Sequence, residues 1–272
     1  MADLRTLLNR DRQHWDGWSL LHHRPGLRTL EGFRAGQSSL LPVEREELGD
    51  VSGRSLLHLQ CGYGMDALCW SRLGAHVTGV DFSNKAVEIA TALNGELKMD
   101  ARFVHSSIYE LDKHLQGQFD IAVASYGVLY WVPGLEQWAQ VAARFLKPGG
   151  TLLIVDEHPM ALMYRGDLAG IKRPYFFHDD PLALLALSQD RDNGGDNAAR
   201  NGSLEDHGWV HPLGDLVNAL VRHGLAVASL KEYPFMAYQR FEGMAQGADG
   251  YWRFAEQPDR LPLLFSLKAI RT

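Results

Sequence analysis

Short apolar runs alternate with amphipathic stretches along most of this chain. Residues 55–60, 102–105, 119–124 and 151–155 have the length and apolar density of buried strands, as do 76–80, 226–232 and 261–270. Between them, apolar side chains return at helical spacing. Leu68, Cys69 and Leu73 share a face after the first run, and Ala86, Ile89, Ala90 and Leu93 share one after the second. Amphipathic helices are also predicted over 135–145 and 213–223, with Ser83 as the N-cap of the helix before Leu93 and Gly224 as a stop. Strands alternating with helices in this way predict βαβ units.

Two stretches lose the alternation. Residues 160–208 and 233–260 read as insertions, the first ending in an Asp-, Asn- and Gly-rich tract that predicts a loop or a hairpin turning at Asn193, Gly194 and Gly195. The part before Gly53 is helical in pattern. Trp15, Trp18, Leu20 and Leu21 form an apolar patch, Pro25 and Gly26 break it, and short helices are predicted over 27–33 and 42–48.

The chemistry concentrates in the first strand–helix–strand unit. The run 55–60 leads straight into Gly62 and Gly64, a turn where residues without a Cβ let a ligand approach the backbone. The strand that follows the helix closes on Asp81. An acidic side chain roughly 20 residues beyond a glycine turn can accept both hydroxyls of a bound ribose. On its own such a turn also serves packing in many α/β proteins. As a dinucleotide fingerprint it is poor, because Met65, Asp66 and Ala67 follow Gly64 and no third glycine does. A pyrophosphate favours a helix N-terminus free of negative charge, and Asp66 occupies that first turn. The pattern suits a cofactor with a positive centre and no phosphate.

Taken with two later landmarks, the unit resembles class I S-adenosylmethionine-dependent methyltransferases. Residues 55–83 resemble their first motif and its sequel, an acidic residue followed by x-G-x-G-x-G. FDIAVA (119–124) resembles their fourth-strand motif, and LKPGG (146–150) the turn before their fifth strand. Two positions depart from the pattern: His58 stands where the acidic residue is expected, and Gln60 replaces the first glycine. SYGVLYWVP, EHP, the stretch 209–215 and PLLFSL further resemble a bacterial subgroup that methylates small molecules.

The resemblance implies an α/β fold: a doubly wound, Rossmann-like, seven-stranded sheet with an N-terminal helical leader (1–52) and a methyltransferase domain (53–272). In it, insertions at about 160–208 and 233–260 form a cap over the acceptor. It implies S-adenosyl-L-methionine as cofactor, a small-molecule acceptor, and in-line transfer of the methyl group. Gln60, Cys61, Gly62, Gly64 and Asp81 then hold the cofactor from the first two strands. Phe82, Ser107 and Ile108 surround the adenine, Ser125 and Tyr126 close the site from the fourth strand, and the leader folds over it through Phe33 and Ser38.

Acid–base candidates lie where the fifth strand ends. Ligands of open α/β sheets bind beyond the carboxyl ends of the strands, which places Glu157 and His158 on the acceptor side. For His158 a salt bridge or helix cap is the competing account. His211 precedes a helix that returns to the sheet, and Pro159 and Pro212 hold both histidines extended. His207 is a third imidazole in reach of neutral pH. Tyr126, counted with the catalytic candidates, joins Tyr130, Trp131 and Tyr175 in a wall that can favour a sulfonium by cation–π contact, about 0.5–2 kcal/mol each.

Composition narrows the setting. A hydrophobic share of 46% over 272 residues is ample for one large α/β domain with elaborations. A net charge of -6 gives no support to a nucleic-acid partner. No apolar run is long enough to span a bilayer and the first residues lack a signal-peptide core, so a cytoplasmic monomer or homodimer with no membrane partner is expected. The two cysteines, Cys61 and Cys69, are expected reduced, and the twelve histidines show no zinc-ligand spacing, so no metal is expected. Two other readings stand beside the leading one. His58 and Gln60 motivate a protein that binds S-adenosylmethionine or S-adenosylhomocysteine without transfer. An NAD-dependent oxidoreductase shares the opening unit, but the missing third glycine and Asp66 count against it.

Overall fold

Strand β1 (Ser55–Leu59) lies inside the sheet, and its sequence explains why it can. Leu56 joins an apolar cluster on one face, while Leu57 and Leu59 join the cluster on the other. A strand covered on both sides can be apolar at successive positions. The computed structural model describes residues 30–164 and 206–272, with 168, 170–171, 173–177 and 182–184 between them. The expected patch at Trp15 and Trp18, the turn at Asn193 and the side chain of His207 lie outside the described residues.

β2 (His76–Asp81), β3 (Ala101–His105), β4 (Phe119–Ser125) and β5 (Leu146–Glu157) run parallel to β1. Short β6 (Leu182–Leu184) and β7 (Asp206–Gly208) pair with each other as a separate two-stranded sheet among the described residues. β8 (Leu225–Tyr233) precedes a small hairpin of β9 (Met244–Gln246) and β10 (Trp252–Phe254), and β11 (Leu264–Arg271) follows. Among the described residues the main sheet has seven strands in the order β3-β2-β1-β4-β5-β11-β8. β11 is antiparallel to both of its neighbours, β5 and β8. Strand order reverses between β1 and β4, which makes the edge above them the switch point where ligands bind in such sheets.

Helices cover both faces, as a doubly wound sheet requires. Met65–Arg72 and Asn84–Glu96 pack on one side, and Leu135–Arg144 and Leu213–Arg222 on the other. The local signals act as expected: Ser83 Oγ accepts the Ala86 N–H at 3.1 Å, and Gly224 ends the later helix with φ +74°. One differs. LKPGG is drawn into β5 as an extension, with a register slip against β4 between Phe119 and Ile121.

The leader contributes helices Leu30–Arg34 and Pro42–Leu48. Between them the chain runs along Met65–Arg72: Arg72 donates to the carbonyls of Phe33 (2.9 Å) and Gln37 (3.3 Å), and the Ser39 N–H reaches Cys69 Sγ at 3.1 Å. Val43 then packs against Leu153, Val155 and Leu264. In the last insertion, Met236, Phe241, Met244 and Phe254 form a small core with Ala161 of the short helix Pro159–Leu162.

Candidate active site

The parallel strands all end at one edge, and the glycine turn sits there. Gly62 (φ +53°) donates its N–H to Asp81 Oδ2 at 2.8 Å, and the Ser83 N–H donates to Oδ1 at 2.9 Å. The Cys61 N–H, bonded to the Val80 carbonyl at 2.9 Å, fastens the turn to β2. A Cβ on Gly62 would meet nothing within 4 Å, so open space adjoins a carboxylate that is 5% exposed. Burial pushes that carboxyl up to about 6. The Ser106 N–H donates to the Asp81 carbonyl at 2.9 Å, which brings Ser107 and Ile108 to the same edge as Phe82. Ile108 is buried, whereas Phe82 and Ser107 are half-buried, and Ser107 Oγ accepts the Tyr109 N–H at 3.3 Å. Both cysteines are buried and unpaired, and burial pushes the Cys61 thiol well above its ordinary value.

The second glycine also has a packing role. At Gly64 (φ +76°) a Cβ would stand 2.7 Å from Ala90 Cβ and 2.7 Å from the Phe103 ring. Its bareness serves packing of the turn against Asn84–Glu96 and β3. Gln60, at the start of the turn, turns its side chain away from it. Its backbone is left-handed (φ +54°), and its side-chain amide reaches toward β4: Nε2 donates to the Val128 carbonyl at 3.2 Å, and Oε1 accepts from Trp138 Nε1 at 3.0 Å. His58, beneath the turn, pairs with Ser125 Oγ at 3.3 Å, and burial lowers its pKa to about 4, leaving it neutral.

The loop after β4 is shaped from β5. Asp156, 2% exposed, accepts the N–H groups of Gly127, of Leu129 at 2.9 Å and of Glu157 at 2.7 Å. These bonds hold Tyr126 (φ +59°) and Gly127 (φ +90°) in consecutive left-handed conformations. Burial pushes the Asp156 carboxyl up to about 7.

Several expected site residues are committed elsewhere. The Tyr126 hydroxyl donates to Glu44 Oε2 at 2.7 Å, which turns the ring toward the leader helix. Glu157 accepts from the Tyr238 hydroxyl and from Arg240 Nη1 at 2.6 Å, so its charge is matched within the structure, with only 10% of its side chain exposed. His158 Nδ1 accepts the Met160 N–H at 3.0 Å while Nε2 donates to Glu232 at 2.7 Å. Both ring nitrogens are used, so His158 caps a helix and bridges to β8. Phe33 lies under the Arg72 guanidinium at 3.9 Å, and Ser38 Oγ contacts Cys69 Sγ at 3.7 Å. Both therefore sit along the body of the turn helix; Ser39 is the leader residue that reaches its first turn, bonding Asp66. Tyr130 and Trp131 meet edge-on at 5.2 Å, while Tyr175 pairs with Phe176.

His211 keeps its place among the candidates. Its Nε2 donates to the Val132 carbonyl at 2.6 Å, which leaves Nδ1 to accept a proton, and burial lowers its pKa so that the ring is neutral. It lines a recess of about 20 Å³ with Tyr130, Asp156, Glu157 and Trp209, room for one water. Arg240, Tyr238 and Trp138 had no local signal in the sequence, since their partners lie 78 to 83 positions away.

Residues 57–154 match the family model of the methyltransferase domain. A ubiquinone biosynthesis O-methyltransferase from Alkalilimnicola ehrlichii is 30% identical over 119 residues, 43% of this chain and 48% of that protein. Another from Bordetella avium is 30% identical over 124 residues, 44% of this chain and 50% of that protein. The chain thus spans about half the length of the curated relatives it matches. An S-adenosylmethionine-dependent methyltransferase structure from Mesorhizobium loti aligns with TM-score 0.60 at 24% identity, over 85% of this chain and 96% of that one. Geranyl diphosphate C-methyltransferase from Streptomyces coelicolor, solved with S-adenosyl-L-homocysteine, aligns with TM-score 0.58 at 15% identity, over 100% of both chains. The glycine turn, Asp81 and the β1–β4 switch point all fall inside the segment that is similar to the methyltransferase domain, and the chain has the fold of the class I methyltransferases.

Proposed function

We propose that this chain is an S-adenosylmethionine-dependent methyltransferase acting on a small molecule. The observation that carries the reading is the Gly62–Asp81 contact, where open space over a bare turn adjoins a buried carboxylate at the end of β2. The Gly62 and Ser83 N–H groups each take one Asp81 oxygen and the Phe82 N–H also bonds the carboxylate, which as an acceptor-only group keeps capacity toward ribose hydroxyls. Phe82 and Ile108 offer apolar faces for a base. A dinucleotide fits less well, because the Asp66 carboxylate stands in the first helical turn where a pyrophosphate would lie.

When bound, this cofactor supplies a methyl group on a sulfonium. The chain's own part is to orient, to exclude water and to move a proton where the acceptor has one to lose. Gly62 and Asp81 orient the nucleoside. Tyr130 and Trp131, behind the loop that Asp156 shapes, wall the acceptor side. His211 accepts a proton at Nδ1. The described part of the leader, residues 30–52, covers the cofactor through the Ser39–Asp66 contact, and residues 233–260 cap the acceptor; most of the insertion at 160–208 lies outside the described residues. The relatives' acceptor is not carried over, since half of their length is unmatched. The net charge of -6 favours a small molecule over nucleic acid, and a cytoplasmic monomer or homodimer is the setting we propose. No described helix is long and apolar enough to cross a membrane.

A second reading, cofactor binding without transfer, is favoured by the structural bonds that occupy Glu157 and His158. Titration calorimetry with S-adenosylmethionine, S-adenosylhomocysteine and NADH tests the first step: the first two bind and NADH does not. Asp81→Ala should weaken binding well over tenfold, since charge-assisted bonds of about 1.5–3 kcal/mol each are lost. Unchanged affinity in that variant removes the core of the proposal. Labelled methyl transfer into a host metabolite extract then separates enzyme from binder.

A further inference from the structure

We infer that Gln60 is a positioning residue, a strut that couples the cofactor turn to the loop on the acceptor side; the inference rests on S-adenosylmethionine binding at Gly62 and Asp81. Position 60 keeps the left-handed backbone that suits glycine, yet it carries a long side chain. That side chain is not idle. It spans from the end of β1 to the Val128 carbonyl at 3.2 Å, and the buried Trp138 indole fixes its other end at 3.0 Å. With both ends of the amide bonded, the side chain has one defined direction.

The loop it reaches is gripped from two sides. Gln60 holds the carbonyl of Val128 from β1, while Asp156 holds the N–H groups of Gly127 and Leu129 from β5. Tyr130 and Trp131 come directly after. Gln60 is also the residue before Cys61 and Gly62, so a ligand that fixes the turn fixes the origin of the strut. Removing the side chain leaves Asp156, the Trp209 N–H on the Tyr130 carbonyl (2.9 Å) and the Tyr126 bonds to Val155 and Glu44 holding the loop, but cuts its side-chain link to the turn.

Gln60→Gly separates this role from a merely tolerated glutamine, because it restores the residue best suited to the backbone and deletes only the strut. Gln60→Asn is the companion, tolerant of the left-handed region but one methylene too short. Amide hydrogen exchange over 126–132 is read with and without S-adenosylhomocysteine, alongside calorimetry. The wild-type loop should gain protection of roughly fivefold or more on binding, the low end of ordinary coupling between sites. Both variants should bind S-adenosylhomocysteine within about threefold of wild type, the free-energy difference being under one tenfold step. Their loop should exchange faster in the free protein and gain less than about twofold on binding. Full loop protection in the variants overturns the strut while leaving the cofactor reading intact. Failure of both to fold also overturns it, since the amide would then serve stability. No binding by wild type defeats the cofactor reading and this inference with it.

Discussion

One Cβ divides the two glycines of the turn into different jobs. Gly64→Ala places a methyl 2.7 Å from Ala90 and from Phe103 at a residue with φ +76°. Overpacking and left-handed strain together should destabilise by about 2–5 kcal/mol in urea denaturation. Gly62→Ala meets no neighbour and should cost about 1–2 kcal/mol of backbone strain, yet weaken S-adenosylhomocysteine binding because its methyl enters the open side of the turn. Asp81 adds a pH dependence. The ribose hydroxyls need its ionised form, and burial places the free carboxyl at about 6. Affinity should be flat above pH 7 and fall roughly tenfold by pH 5, as protonation competes with the ligand. Calorimetry across that range checks it, and rising affinity toward acid would count against Asp81 as the ribose acceptor. At this scale the sequence was legible where residues act on near neighbours. Ser83 and Gly224 cap and stop helices through contacts a few positions away. The packing role of Gly64 was not legible, because the atoms that exclude its Cβ, in Ala90 and Phe103, come from elements packed only after folding.

The elements meet through bonds that no local pattern announces. Glu157 at the end of β5 is paired with Arg240 in the last insertion, with side-chain exposures of 10% and 5%. Removing one partner of a buried pair leaves the other charge uncompensated. Arg240→Met should therefore cost about 3–5 kcal/mol, and Glu157→Gln added to it should recover much of that loss. Equal stability of the single and double variants would mean that the pair does not act as a unit. His158 belongs to the same junction, capping Pro159–Leu162 and bonding Glu232 of β8. His158→Ala should lower the melting temperature but leave S-adenosylhomocysteine affinity unchanged. In the sequence, the imidazole at the end of a strand signalled chemistry and capping equally. The choice depended on Glu232, 74 positions away, which antiparallel β11 brings alongside by linking β5 to β8.

At the scale of the whole molecule, the two faces of the sheet and the edge above them are separate matters. The faces are filled by apolar side chains whose periodicity was plain in the sequence, so the α/β class and the helix positions could be read directly. The edge is assembled from the ends of β1, β2, β4 and β5, and its ligand cannot contribute to stability until it binds. That makes ligand-dependent stability the broadest test. A ligand at 100 times its dissociation constant that binds only the folded chain stabilises it by about 2.7 kcal/mol. For a chain of this size each kcal/mol moves the melting temperature by about 2–4 °C, so saturating S-adenosylhomocysteine should raise it by about 5–10 °C. NADH should give no shift, because its pyrophosphate would have to approach the Asp66 carboxylate at the start of the turn helix. The rise should vanish in Asp81→Ala at the same ligand concentration and persist in His158→Ala. A shift with NADH and none with S-adenosylhomocysteine would reverse the assignment, since both compounds carry an adenosine and differ in what its 5′ carbon bears, a homocysteine thioether in one and a pyrophosphate-linked nicotinamide riboside in the other.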